Sequence, residues 1–154
     1  MTTQEIFTEI SKHLTTIKAS ETTIRTYNLF VNESHSLQIK PIKHFVQIVE
    51  KPKPQLQGLI IECFIIDEKK LYDIVVESDN VNINSIWIKD LIKVGVQTIT
   101  AVSKIKENDQ ENVKKEYFAQ LTITYLSGQS YFYRTNIERI GELYQLASLL
   151  INMR

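Results

Sequence analysis

Between residues 115 and 153 the spacing of apolar positions changes once, from a period of two to about 3.6, which marks a long β-hairpin running into an amphipathic helix. The first arm, residues 116–126, alternates Ala119, Leu121, Ile123 and Tyr125 against Gln120, Thr122 and Thr124. The second, residues 129–134, is short and aromatic. A two-residue turn at Ser127-Gly128 sets Ile123 opposite Phe132, whereas a three-residue loop with Gly128 in the left-handed region turns Tyr131 and Tyr133 inward. Thr135 and Glu138 stand in capping-box register, predicting a helix over 135–153. Its apolar stripe is Ile137, Ile140, Leu143, Tyr144, Ala147, Leu150 and Ile151, widened by Leu146 and Leu149. Gly141 within it costs about 1 kcal/mol against Ala and implies either close packing or a tolerated weakness.

The same pattern reading predicts a helix over 2–18, with a Thr2/Glu5 capping box and Ile6, Phe7, Ile10, Leu14 and Ile17 on one side. Residues 24–31 are β-branched and aromatic, with Tyr27, Leu29 and Val31 in alternation, and predict a strand. Leu37 and Ile39 suggest another. After Pro41, the spacing of Ile42, Phe45, Val46 and Val49 favours a short helix over a strand. The Lys51-Pro-Lys-Pro54 cluster reads as a stiff connection. Strands follow at 59–66 and 71–77, joined by the polar residues 67–70, then at 81–88 and 94–105. Residues 107–115, polar apart from Val113, are expected to form a mobile loop before the final hairpin.

A length of 154 residues suits one domain, a helical and strand section at 1–57 followed by a strand-rich section with its closing helix at 58–154. Eighteen basic and eighteen acidic residues leave no net field to attract nucleic acid, so none is expected as a partner. The single cysteine, Cys63, excludes an internal disulfide framework and fits a reducing compartment. Without a membrane-length apolar run or a secretory leader pattern, a cytoplasmic protein is expected.

Consecutive antiparallel strands followed by one C-terminal amphipathic helix, as in residues 58–153, resemble a pleckstrin-homology-like barrel. The resemblance implies an α+β fold, an antiparallel bent sheet or barrel with a C-terminal capping helix, to which the N-terminal helix is extra. It also implies binding of phosphoinositides, peptides or proteins in preference to catalysis.

Candidate chemistry is sparse. Gly58, Gly95, Gly128 and Gly141 stand too far apart for a phosphate-cradling loop, so no nucleotide cofactor is expected. His13, His35 and His44 lack partners at metal-ligand spacing, and no metal is expected. Cys63 lies in an apolar strand, where an inert thiol is the ordinary case. Asp67, Glu68, Asp73, Glu77 and Asp79 could pair for acid–base work, but carboxylates at strand ends are usually solvated. The hairpin aromatics have only Arg134 among them, which suits packing better than base stacking. The expected function is therefore a non-enzymatic interaction domain that binds a protein partner or a second copy. The apolar side of the N-terminal helix, Ile6, Phe7, Ile10 and Leu14, is its candidate interface, to be covered by the protein's own sheet, by a copy or by another partner. The alternative is a membrane-surface binder using Lys69 and Lys70 or the basic stretch at 40–53 with Lys40, Lys43, Lys51 and Lys53, with weak, salt-sensitive attachment.

Overall fold

The computed structural model describes residues 1–49 and 59–154, so the proline cluster lies outside the described residues. Within them the strands form two open antiparallel sheets, of four and three strands, and do not close into one barrel. The chain divides into two compact units, Met1–Trp87 and Ile88–Arg154.

In the first unit, α1 (Thr3–Thr16) starts at the capping box: Thr2 Oγ1 accepts from the Glu5 amide at 3.2 Å and Glu5 Oε2 from the Thr2 amide at 2.6 Å. A second helix, α2 (Glu21–Glu33), begins at Ser20, whose hydroxyl accepts from the Thr23 amide. Four strands follow, β1 (Lys43–Ile48), β2 (Leu59–Ile66), β3 (Lys70–Glu77) and β4 (Val81–Trp87), paired in chain order. Ile61, Cys63, Ile65, Ile74 and Val76 stand on one face of this sheet and join Ile6, Phe7, Ile10, Leu14 and Tyr27 in one buried cluster. Each large side chain in such a cluster contributes about 1.5–3 kcal/mol by leaving water. Two hydrogen bonds pin α2: the Tyr27 hydroxyl donates to the Phe7 carbonyl at 2.6 Å, and the Thr23 hydroxyl to the Ser78 carbonyl at 2.7 Å. The opposite sheet face is apolar too, with Phe45, Phe64, Ile66 and Leu71 all buried and the two rings stacked at 6.3 Å. That explains the nearly unbroken apolar run of β2.

Three expectations for this unit are corrected. Residues 24–31 are helical, because Thr23 and Tyr27, four apart, fall on the face that α2 buries. Residues 43–48 form a strand, since pairing with β2 places Val46 beside Cys63 and Phe45 beside Phe64. Leu37 and Ile39 follow a 3-10 turn (Ser34–Ser36) and pair with no strand among the described residues, although Ile39 is in the core.

In the second unit a 3-10 turn (Ile88–Asp90) leads into β5 (Leu91–Glu107), β6 (Gln110–Tyr125) and β7 (Ser130–Asn136), again paired in chain order. The β6–β7 connection is the three-residue loop, with Gly128 at φ +86° and the Tyr125 amide donating to the Gln129 carbonyl. Ile123 consequently faces Tyr131 and Leu121 faces Tyr133. The expected Thr135 capping box is absent. Pairing with Ala119 draws Thr135 into β7, where it is buried, and a 3-10 turn (Ile137–Arg139) precedes α3 (Ile140–Met153). That helix packs on β5 and β6 and buries Leu143, Leu146, Ala147 and Leu150, while Tyr144 and Ile151 face solvent. A methyl group at Gly141 would meet no atom within 4 Å, so that glycine is a tolerated weakness and not a close contact. Among the described residues no helix is long and apolar enough to cross a membrane.

Candidate interaction surface

The polar stretch expected to be a loop, residues 107–115, is instead strand. β5 and β6 stay paired out to Glu107 opposite Gln110. The two residues between them, Asn108 and Asp109, both have positive φ, 51° and 61°, which is the type I′ turn that matches strand twist. β7 reaches only from Phe118 to Thr124 along β6, so residues 110–117 pair with β5 alone. At about 3.3 Å per residue this leaves a two-stranded ribbon extending about 25 Å past the last residue that β7 pairs.

Every residue from 102 to 117 is exposed. Ion pairing within the ribbon is slight, Lys104 to Glu111 across the two strands at 3.9 Å and Lys114 to Glu116 along β6 at 3.1 Å, both between solvated side chains that contribute little. A ribbon of two strands is marginal by itself in water. One of its faces continues the buried side of the three-stranded sheet: Ala119, Leu121 and Ile123 are each less than 2% exposed, and the next odd-numbered residues of β6 are Tyr117, Lys115 and Val113. With Val102 opposite Lys115, the row Tyr117, Val102 and Val113 carries the apolar face out to solvent at 53–59% exposure.

The helix face expected to be the interface lies elsewhere. Ile6, Phe7, Ile10 and Leu14 are at most 3% exposed and pack in the first unit's own core, so the chain's own sheet covers them. Lys69 and Lys70 flank a tight turn in which Asp67 Oδ1 accepts from both of their amides, at 2.8 and 2.7 Å. The Lys70 ammonium rests 4.4 Å above the half-exposed Trp87 ring. With Asp67 and Glu68 in the same turn, the local charge cancels. Of the basic stretch at 40–53, Lys51 and Lys53 lie outside the described residues.

Glu9 on α1 stands between two imidazoles, His44 Nε2 at 3.1 Å and His13 Nε2 at 3.7 Å, a tie between the helix and β1. No group of three or more potential metal ligands occurs among the described residues. Cys63 is fully buried, and burial, reinforced by the charges of Glu9 and Asp73, pushes its thiol well above the ordinary range, so it is a poor nucleophile. Asp73 is buried, unlike the solvated strand-end carboxylate expected, and stands opposite Phe64 on the face that also carries Glu62. Burial, then the Asp73 charge, raises Glu62 to about 7. Sequence reading passed over Glu62; a lone carboxylate in an apolar strand was the available signal. The hairpin aromatics divide: Tyr125 and Tyr133 are buried, whereas Phe132 is 63% exposed and Phe118 has the Arg134 guanidinium at 5.7 Å. A shallow groove along α1, lined by Met1, Gln4, Glu5, Thr8, Glu9 and Lys12, is walled by one helix and its leading residue.

No family model, curated protein or solved structure matches this chain.

Proposed function

We propose that this protein is a non-enzymatic interaction domain that engages a protein surface through the β5–β6 ribbon. The observation carrying the reading is the apolar row Tyr117, Val102 and Val113, set on a ribbon exposed on both faces and continuous with a buried sheet face. Apolar side chains held out on a projecting two-stranded element cost stability in the free protein and gain it when covered. The pleckstrin-homology-like reading is supported by element order, consecutive antiparallel strands followed by one C-terminal helix. Fold analogy by itself assigns no partner. A cytoplasmic setting suits a chain whose single cysteine, Cys63, is buried.

The test is a photo-crosslinking amino acid at Val113 in the full chain inside its native cells. A protein adduct is expected at Val113 and none at the exposed control Glu21, which lies on α2. Absence of any Val113 adduct would refute the reading.

A further inference from the structure

We infer that the ribbon's partner is a second copy of this chain, paired antiparallel along the free edge of β6 with a twofold axis at Val113; this rests on the interaction reading above. The backbone restricts the register first. Tyr125 and Gln129 are hydrogen-bonded across the β6–β7 pair, so the odd-numbered residues of β6 turn their N–H and C=O toward the β7 side and the even-numbered ones toward β5. Beyond Phe118 no strand pairs on that side among the described residues, which leaves Glu111, Val113, Lys115 and Tyr117 with edge-facing backbone groups. A copy can pair there only with odd residues facing odd residues, so permitted registers differ by two residues.

Charge then selects among them. With the axis at Val113, Glu111 faces Lys115 of the copy and Lys115 faces its Glu111, two ion pairs flanking a Val–Val contact, while Tyr117 faces Asp109 in the turn. On the other face Asn112 meets Lys114 and Gln110 meets Glu116, so no like charges oppose. Moving the axis to Lys114 sets that lysine against itself. Moving it to Asn112 sets Glu111 against Val113 and exchanges both Glu–Lys pairs for contacts of Lys115 with Asp109, which stands at positive φ in the turn and not on the strand. The segment Glu111 to Lys115 is thus complementary to its own reverse, as an isologous contact requires. The joined ribbons make a four-stranded sheet, β5 and β6 with their counterparts, and bring Val102 and Val113 of both copies onto one face. Three or more strands with an apolar face is the condition under which such a sheet is stable independently.

The experiment is sedimentation equilibrium of the full chain with three variants. Wild type should be dimeric. Lys115→Glu and Glu111→Lys, at exposed positions that leave the far-UV spectrum unchanged, should each weaken association by about tenfold or more through opposed like charges. The double variant carrying both changes should recover most of the wild-type affinity, because the swapped charges face each other again. A wild type that stays monomeric at its highest soluble concentration, or single variants that weaken association without recovery in the double, would overturn the proposal. The mass of the Val113 crosslink separates the two levels: twice the chain mass supports the copy, another protein's mass overturns it while the interaction reading stands, and no adduct removes both.

Discussion

Glu62→Gln should stabilise the protein above pH 7 and change it little near pH 4.5. In the folded chain Glu62 keeps its proton to about pH 7, through burial first and the Asp73 charge second, against an ordinary value of 4.5. Between those values the folded state binds more protons than the unfolded one, so stability falls as pH rises through the window. The contribution is fully present below pH 4.5 and lost above about 7. At about 1.4 kcal/mol per pH unit the interval corresponds to about 3 kcal/mol at most, and the residue's partial exposure brings the expectation to about 2 kcal/mol. Glutamine keeps the shape of the neutral acid and has no charge to desolvate. Urea unfolding of both proteins at intervals from pH 4.5 to 8 gives the two stability profiles, which should converge at the acid end, separate up to about pH 7 and hold that separation above it, while the m-value stays constant. Parallel profiles would show that Glu62 is ionised and solvated in the folded protein, and the argument would fail.

Leu14→Ala, in the core under α1, should cost about 2–5 kcal/mol without altering association mass, and a loss under 1 kcal/mol in urea unfolding would contradict its burial. Tyr27→Phe removes the hydroxyl bonded to the Phe7 carbonyl and should cost about 1–2 kcal/mol by the same assay, with the helical signal retained. Changing Lys69 and Lys70 to Glu should leave cosedimentation with anionic vesicles near its low starting level, because Asp67 and Glu68 already neutralise that turn; strong wild-type binding abolished by the change would revive the membrane reading.

Local signals along the chain determined those elements whose stability is itself local or whose burial follows a simple period. The Thr2/Glu5 capping box starts α1 because both bonds close within one turn, and the apolar runs of β2 and β3 are strands because their sheet is buried on both faces. Gly128 permitted the three-residue loop, but the pairing of Tyr133 with Leu121 was needed to choose it over the two-residue alternative. Tertiary packing decided the rest. The β-branched segment at 24–31 became α2 once Tyr27 could bury its ring and bond Phe7, which outweighs a small propensity difference. Residues 43–48 satisfied both periods, and only β2, on the far side of the proline cluster, made them a strand. Thr135 lost its cap to a ladder position beside Ala119. The ribbon was the least legible: a strand solvated on both faces shows no alternation, and its pairing depends on the Asn108-Asp109 turn. The α1 interface failed for the complementary reason. An apolar helix face shows in sequence that something must cover it, and only the folded chain shows that its own sheet does.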